Sequence, residues 1–189
     1  RSLILKGPAL GVMAYGNVHV RPFADLDILV SPEDYTRTVE ILTQDEYSYS
    51  GRVASFSSFK RKVYLWKTRQ IPLNRGSYIF NLDLHTAVMP PLYSHRFAFE
   101  ELWERSEPLP LKAATLVCCG AEDTFRILCY HGAKNRWEIL KYICDVAEWV
   151  RARTDLDWEA LLQFARVANE ERILLLGLCL AQIVLDAEL

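Results

Sequence analysis

The sequence has no apolar run long enough to cross a membrane. Its longest, residues 173–185, is interrupted by Gln182 and falls short of the roughly 18 residues that a membrane-spanning helix needs. No segment has the pattern of a signal peptide, and the formal net charge of −2 lacks the basic excess typical of nucleic-acid-binding proteins. These absences predict a cytoplasmic protein with no membrane partner.

Paired cysteines at metal-binding spacing are also missing. The five cysteines are an odd number and include no CxxC or CxxH pair, which excludes a zinc site of the usual spacing and disfavours a disulfide framework. Buried, reduced thiols are the simpler interpretation. What the 189 residues do contain is 51% hydrophobic and 24% charged side chains, a globular composition sufficient for one domain or two fused halves.

The periodicity of apolar residues divides the chain into two parts. The first part has strand-like and helix-like segments in alternation, whereas only helical periodicity follows residue 121. We predict an α+β core over residues 1–105 with a small mixed sheet, and a helical domain over residues 106–189. The predicted strands are residues 3–6, 25–30, 62–67 and 78–85, and the predicted helices of the core are residues 8–15 and 35–43.

Two acids stand two residues apart at the start of a predicted strand. Asp25 and Asp27 precede the apolar run 28–30, so their carboxylates project from one strand face, where the sheet meets its core. Like charges this close repel each other unless a cation or a proton lies between them. Carboxylate oxygens are hard ligands that suit Mg²⁺. We therefore expect a metal site at Asp25 and Asp27.

A third acid lies in a similar context. Asp83 is flanked by leucines, and if its strand neighbours that of Asp27, three carboxylates converge on one face, as in two-metal phosphoryl-transfer sites. His85 shares the face of Asp83 and could contact a phosphate, orient an acid or simply be satisfied at the strand end. Repulsion among the acids predicts that Asp27→Asn leaves the metal-free protein at least as stable as wild type.

A turn near the start of the chain supplies a candidate anion site. Lys6-Gly7-Pro8 joins the first predicted strand to the first helix. A glycine at such a turn lets a phosphate approach the backbone, and the N-terminus of the following helix carries partial positive charge. About twenty residues later come the paired acids, so we predict that Lys6 and Gly7 contact phosphate.

Acidic residues are absent between Tyr47 and Leu82. This stretch holds seven basic residues with interleaved aromatics: Arg52, Lys60, Arg61, Lys62, Lys67, Arg69 and Arg75. Two interpretations stay open. The stretch is either a solvated hairpin whose lysines protect its edge, or a surface for a triphosphate or an anionic acceptor. A single short basic patch can contact only a few phosphates, so nucleic acid is the less favoured partner.

Several linked motifs together resemble a known family. The strand-to-helix turn at Lys6-Gly7, the segment 21–30 around Asp25-Leu-Asp27, the Asp83-Leu-His85 strand and the helical segment 130–145 occur in the order of the uncharacterised nucleotidyltransferase family of the polymerase β-like superfold. The resemblance covers most of the chain. It implies a polymerase β-like nucleotidyltransferase core followed by a helical domain.

The resemblance also implies an activity and the residues that perform it. An NMP would pass from an NTP, with ATP foremost, to an unidentified acceptor with release of pyrophosphate. Asp25, Asp27 and Asp83 would be catalytic and would hold two Mg²⁺ ions, which Mn²⁺ could replace. Nucleotide-binding roles would fall to Lys6, Gly7, Arg21, His85 and Lys134.

A non-catalytic module with a degenerate transferase fold, binding a nucleotide or a partner, is the alternative. The three acids favour the enzyme. Pro8 and Ala24, in place of the serines usual in the superfold, favour the alternative.

Overall fold

The computed structural model describes residues 1–76, 81–91, 97–111 and 114–187. The strands are β1 (Ser2–Ile4), β2 (Asp25–Val30), β3 (Tyr47–Tyr49), β4 (Gln70–Arg75), β5 (Asn81–His85), β6 (Glu107–Leu111) and β7 (Ala114–Cys118). The helices are α1 (Pro8–Tyr15), α2 (Tyr35–Gln44), α3 (Ser58–Thr68), α4 (Phe99–Glu104), α5 (Ala121–Lys134), α6 (Leu140–Ala152), α7 (Trp158–Ala168) and α8 (Glu171–Leu185), with a 3-10 turn at Gly51–Ser55.

All seven strands form one mixed sheet in the order β3-β4-β5-β2-β1-β7-β6. The β2–β5 and β1–β7 pairs are parallel, and the other neighbours are antiparallel. The chain divides into two compact units. The sheet unit comprises Arg1–Ala9 and Arg21–Cys119, and the helical unit comprises Leu10–Val20 and Gly120–Leu189. The predicted α+β fold with a mixed sheet and C-terminal helices is confirmed.

One face of the sheet carries the core of the sheet unit. Alternate residues of β2 and β5 point into this core, which also takes buried side chains of β4 and partly buried side chains of α2 and α3. These residues include Ile28, Val30, Ile71, Leu73, Leu82, Leu84, Tyr35, Val39, Tyr64 and Leu65. The intervening residues of β2 and β5 therefore lie on the opposite face, and apart from Leu29 they are polar.

The helical unit has a core of its own. Phe125, Val146, Trp149 and Leu174, from α5, α6 and α8, are buried in it, and the Trp149 indole Nε1 donates to the Ala121 carbonyl at 3.0 Å. The Asp157 carboxylate caps α7 by accepting from the Ala160 amide at 2.9 Å. None of the described helices is long and apolar enough to span a membrane.

The predicted strand at residues 62–67 is wrong, because these residues lie within α3. Ser57 caps the helix by accepting from the Lys60 amide at 3.3 Å. Tyr64 and Leu65 then meet the core from one side of the helix. The aromatic and β-branched residues imitate a strand pattern, but the N-cap and the burial of one helix side decide the conformation. The predicted strand 78–85 is confirmed over Asn81–His85, and residues 78–80 lie outside the described residues.

Residues 107–111 and 114–118 were expected to belong to the helical part but form β6 and β7, which complete the sheet. Pro108 and Pro110 argue against a strand in general, yet β6 is an edge strand, where a missing N–H is tolerated. The compact units thus differ from the predicted division at residue 105. The sheet unit runs to Cys119, and Leu10–Val20 groups with the helices.

Candidate active site

Two parallel strands bring the predicted acids together. In the β2–β5 register, Asp27 lies opposite Asp83, and Leu29 lies opposite His85. Because side chains alternate along a strand and neighbouring strands keep their pleats in phase, Asp25, Asp27, Asp83 and His85 share one side of the sheet. We call this surface the acid face.

Asp27 is the most deeply engaged of the acids. Its side chain is buried, with Oδ1 2.8 Å from His85 Nε2 and Oδ2 3.2 Å from Lys6 Nζ. Burial by itself would raise the pKa of the Asp27 carboxyl. The hydrogen bond with His85 and the charge of Lys6 together outweigh burial and hold this pKa well below its usual range. Asp27 is therefore a carboxylate at neutral pH.

Asp83 has the opposite electrostatic character. It is half-buried, and its Oδ2 accepts from Gln70 Nε2 at 2.8 Å. Burial raises the pKa of the Asp83 carboxyl, and the charges of Asp27 and Asp25 raise it further, against the lowering effects of His85 and Lys6. Asp83 thus binds a proton more readily than Asp27 does.

The turn after β1 places Lys6 at the acids. Gly7 has φ +63°, and a Cβ there would lie 3.2 Å from the Asp25 carbonyl oxygen, so the turn packs directly on the start of β2. The Leu5 amide donates to the Asp27 carbonyl at 3.1 Å, and this hydrogen bond also holds the turn against β2. A residue with a side chain would meet both a backbone clash and an unfavourable φ. The glycine thus allows Lys6 to reach Asp27.

The acid face has the donor set of a cation site. Ligand atoms of Asp27, Asp83 and His85 all lie within 4.8 Å of one another. Two carboxylates and an imidazole in this arrangement suit a divalent ion. The Lys6 ammonium already lies against one of these carboxylates, which shows that the cluster attracts positive charge. The residues present therefore fit a metal.

The remaining predicted site residues lie in different places. Asp25, the first residue of β2, is outside the group within 4.8 Å, although its charge acts on Asp83. Arg21 is buried in the bend before β2. Lys134 is the last residue of α5, in the helical unit. The nucleotide-binding roles of Arg21 and Lys134 stay predictions.

One residue of the cluster was missed by the sequence analysis. Gln70, at the start of β4, holds Asp83 through its side-chain amide. It lies opposite His85 in the antiparallel β4–β5 pair. Nothing in the sequence around Gln70 indicates this role, because the pairing of β4 with β5 brings it to the acid face.

Segment 130–145, which contributes to the family resemblance, contains residues whose role is packing within the helical unit. A Cβ on Gly132 would collide with the Trp137 indole, so this glycine makes room for the ring. The Tyr15 hydroxyl donates to the Asp145 Oδ1 at 2.9 Å and satisfies a buried carboxylate. At least part of segment 130–145 therefore serves the helical unit itself.

Acids on neighbouring strands beside a glycine turn are the arrangement expected of a phosphoryl-transfer site on a mixed sheet. The comparison with known families agrees with this class. The model of a family described as uncharacterised nucleotidyltransferase matches residues 1–186, and the chain belongs to this family. No curated protein matches the sequence significantly.

Solved structures show the same fold at low sequence identity. A lincomycin-bound lincosamide antibiotic adenylyltransferase, LnuA, superposes with TM-score 0.52 and 14% identity over 79% of this chain and 85% of its own. The antibiotic-resistance factor ANT(2'')-Ia gives TM-score 0.55 and 15% identity over 93% and 84%. Its complex with adenylyl-2''-tobramycin gives 0.56 and 16% over 90% and 87%. The fold is that of polymerase β-like nucleotidyltransferases, and the protein is a transferase.

Proposed function

We propose that the protein transfers an NMP from an NTP, with ATP foremost, to an acceptor group in a reaction that depends on Mg²⁺. The acceptor oxygen would form a bond to the α-phosphorus while the bond from that phosphorus to the bridging oxygen breaks and pyrophosphate leaves. The observation that carries the proposal is the Asp27–Asp83 pair, opposite each other in the register of β2 and β5 in a nucleotidyltransferase of this family.

The acid face supplies the residues that would hold two Mg²⁺ ions, or Mn²⁺ in their place. Asp25, Asp27 and Asp83 offer the oxygen ligands, and the cluster of Asp27, Asp83 and His85 supports this assignment. Bound divalent ions would neutralise phosphate charge and favour ionisation of the acceptor. His85 keeps Asp27 in one orientation through the 2.8 Å contact, so we assign it a positioning role.

Side chains of the protein would also accept the acceptor's proton and bind the phosphates of the nucleotide. Asp83, whose pKa is raised by burial, is the carboxylate best suited to accept the acceptor's proton. Lys6 is the cation nearest to the acids, and its ammonium would turn towards a phosphate that approaches over the Gly7 turn. Arg21 and Lys134 complete the proposed nucleotide-binding set.

The two structural relatives support a hydroxyl acceptor. One is bound to lincomycin and the other to adenylyl-2''-tobramycin, so their acceptors are small hydroxyl-bearing molecules. We extend to this chain only the chemical class, a hydroxyl group on an acceptor that is otherwise unidentified.

A non-catalytic binding module is the second candidate. The observation that favours it is that Lys6 and His85 already engage both Asp27 oxygens, so the buried carboxylate is satisfied by the protein itself. This module would bind nucleotide or a partner but would form no bond to the α-phosphorus.

The deciding experiment follows transfer of α-labelled ATP, with Mg²⁺, to a panel of hydroxyl acceptors and to a cell extract. Wild type should produce a labelled acceptor and pyrophosphate, whereas Asp27→Asn should produce neither. Glu159→Gln, which removes the same charge from an exposed helix position, is the matched control and should behave as wild type. Nucleotide binding with no transfer by wild type would favour the second candidate.

A further inference from the structure

The outer side of α3 carries an apolar stripe that the sheet unit leaves exposed. Phe59, Val63 and Trp66 have 75%, 39% and 62% of their surface exposed. Their spacing of four and then three residues places them on one side of the helix, which we call the α3 stripe. Tyr64 and Leu65 face the core of the sheet unit, so α3 is apolar on two sides and only one of them is covered.

Cations border the α3 stripe along both edges. In heptad terms Phe59 and Trp66 occupy d positions and Val63 an a position. The neighbouring e positions are Lys60 and Lys67, and the g positions are Lys62 and the helix C-cap Arg69. No ion pair or hydrogen bond of these four side-chain cations occurs within the described ranges, and no acid occurs between Tyr47 and Leu82.

A small depression adjoins one edge of the stripe. Its volume is about 250 Å³, and Trp66, Lys62 and Arg69 contribute to its wall. Leu65, Tyr35, Pro32 and Thr86 line the remainder. A cavity of this size accommodates one large side chain, and its rim is basic.

We propose that the outer side of α3 docks an amphipathic helix of a partner protein, with apolar residues at its a and d positions and acidic residues at its e and g positions. Apolar side chains of such a helix would cover the α3 stripe, one of them would fill the depression, and its acids would face the four cations. A second copy of this chain does not fit, because pairing α3 with itself brings like charges together. The proposal is independent of nucleotidyl transfer.

The arrangement of the cations favours a helix over other anionic partners. A single nucleic-acid strand places phosphates on one side and bases on the other, which calls for cations along one edge of the aromatic residues. On α3 the cations border both edges. A flat bilayer surface would leave the depression beside Trp66 unfilled, whereas a side chain of a docked helix would occupy it.

The test uses two synthetic helical peptides of three heptads that differ in charge alone. Both have Leu at a and d; one has Glu at e and g, and the other has Lys there. Anisotropy of the labelled peptides on the full-length protein should show at least tenfold tighter binding of the Glu peptide, weakening as salt rises. Equal affinities, or no binding of either peptide, would overturn the proposal.

Protein variants locate the binding on α3. Phe59→Ala/Trp66→Ala should weaken binding of the Glu peptide at least tenfold, and Lys60→Glu/Lys67→Glu should reverse the preference towards the Lys peptide. Val167→Ala/Ile183→Ala, at positions 75% and 80% exposed, and Arg37→Glu/Arg172→Glu are the matched controls and should change nothing. All changes are at exposed positions, and an unchanged melting temperature confirms folding.

Three further probes distinguish the other occupants. A single-stranded oligonucleotide, a vesicle of phosphatidylcholine with phosphatidylserine, and the protein alone over a concentration series test nucleic acid, membrane and self-association. None should show an interaction that depends on Trp66. Binding to any of these probes that is lost in Phe59→Ala/Trp66→Ala, without a preference for the Glu peptide, would replace the partner helix by that occupant.

Discussion

Asp27 and Asp83 face each other across two parallel strands, yet their surroundings push their acidities in opposite directions. Asp27 is buried but has two strong partners, His85 and Lys6, and its pKa falls. Asp83 accepts only from the neutral amide of Gln70 among the described contacts, and burial together with two neighbouring acids raises its pKa. One acid is thereby kept charged and the other can exchange a proton, a division that suits a site for both cation binding and proton transfer.

The first prediction concerns stability after loss of the Asp27 charge. Repulsion alone predicts that Asp27→Asn is neutral or stabilising, but the structure reverses the sign, because the variant leaves the buried His85 and the half-buried Lys6 without their carboxylate. We expect a loss of about 1–3 kcal/mol in the free energy of unfolding without metal. Urea denaturation measures it, with Glu159→Gln as the control, whose charge in the first turn of α7 contributes less than about 1 kcal/mol. A variant as stable as wild type would contradict the ion-pair geometry.

The same variant has a defined pH dependence. Since the folded-state pKa of Asp27 lies below its unfolded value of 3.8, its contribution is fully present above that value and is lost as pH falls through the folded pKa. The stability difference between wild type and Asp27→Asn should therefore be largest near neutral pH and shrink below about pH 4. A difference that grows on acidification would show that Asp27 has no such ion pair.

The second prediction is the opposite behaviour of Asp83. A carboxyl whose folded-state pKa is raised loses stability as pH rises through that pKa, because the folded protein then gives up a proton it holds more tightly than the unfolded chain. Asp83→Asn removes this loss, and its Oδ1 can still accept from Gln70. We expect the variant to be inactive in transfer yet at least as stable as wild type at pH 7, with the advantage absent at pH 4. Urea titrations at both pH values measure it.

Single residues of the site were predictable to different extents. The approach of Asp83 to Asp27 was predicted on the condition that their strands are neighbours, and the β2–β5 pairing meets this condition. The contact between His85 and Asp27 was one of three readings left open by the sequence. Gln70 could not be predicted, because its role depends on a strand that pairs with β5 from the other side.

At the scale of helices and strands, helix capping and long-range strand pairing explain the wrong strand prediction at residues 62–67 and the missed strand β6. The N-cap at Ser57 is visible in the sequence, but the run Val63–Trp66 suits a strand as well as a helix until the burial of one side is known. β6 was missed because Pro108 and Pro110 are poor strand formers. They are tolerated there because β6 is the last strand of the sheet, a position that no local signal encodes.

The third prediction concerns the turn between β1 and α1. Gly7→Ala places a side chain at φ +63° and a Cβ 3.2 Å from the Asp25 carbonyl oxygen, so we expect a loss of about 1–2 kcal/mol and a weaker hold of Lys6 on Asp27. Gly16→Ala is the matched control, since Gly16 has φ +69° and nothing within 4 Å of its Cβ. Urea denaturation should show the larger loss for Gly7→Ala, and only this variant should impair transfer. Equal effects would indicate that the contact with β2 is unimportant.

At the scale of the whole molecule, the sequence predicts the α+β class and the helical C-terminal part but not how distant segments group. β1 lies between β2 and β7, so residues far apart in sequence complete the sheet around the site strands. Leu10–Val20 joins the helical unit although it is flanked by segments of the sheet unit. Such grouping depends on non-local packing, which periodicity along the chain does not report.

The last prediction measures the acid face through the stability of the entire chain. Ligands that bind only the folded state stabilise it by mass action, by about 2.7 kcal/mol at a hundredfold excess over Kd. For a protein of this size each kcal/mol is worth about 2–4 °C. Mg²⁺ with ATP should therefore raise the melting temperature by roughly 5–10 °C, with a smaller rise for Mg²⁺ alone.

Calorimetry of matched variants shows whether that rise belongs to the acid face. Asp27→Asn should lose the nucleotide-dependent shift, whereas Glu159→Gln should keep it. An ATP analogue with a methylene between the α- and β-phosphorus cannot release pyrophosphate, so a full shift with this analogue separates binding from transfer. If wild type and Asp27→Asn respond alike to Mg²⁺ with every NTP, the acids do not bind metal and nucleotide, because the shift must then arise at a site that does not use the Asp27 carboxylate.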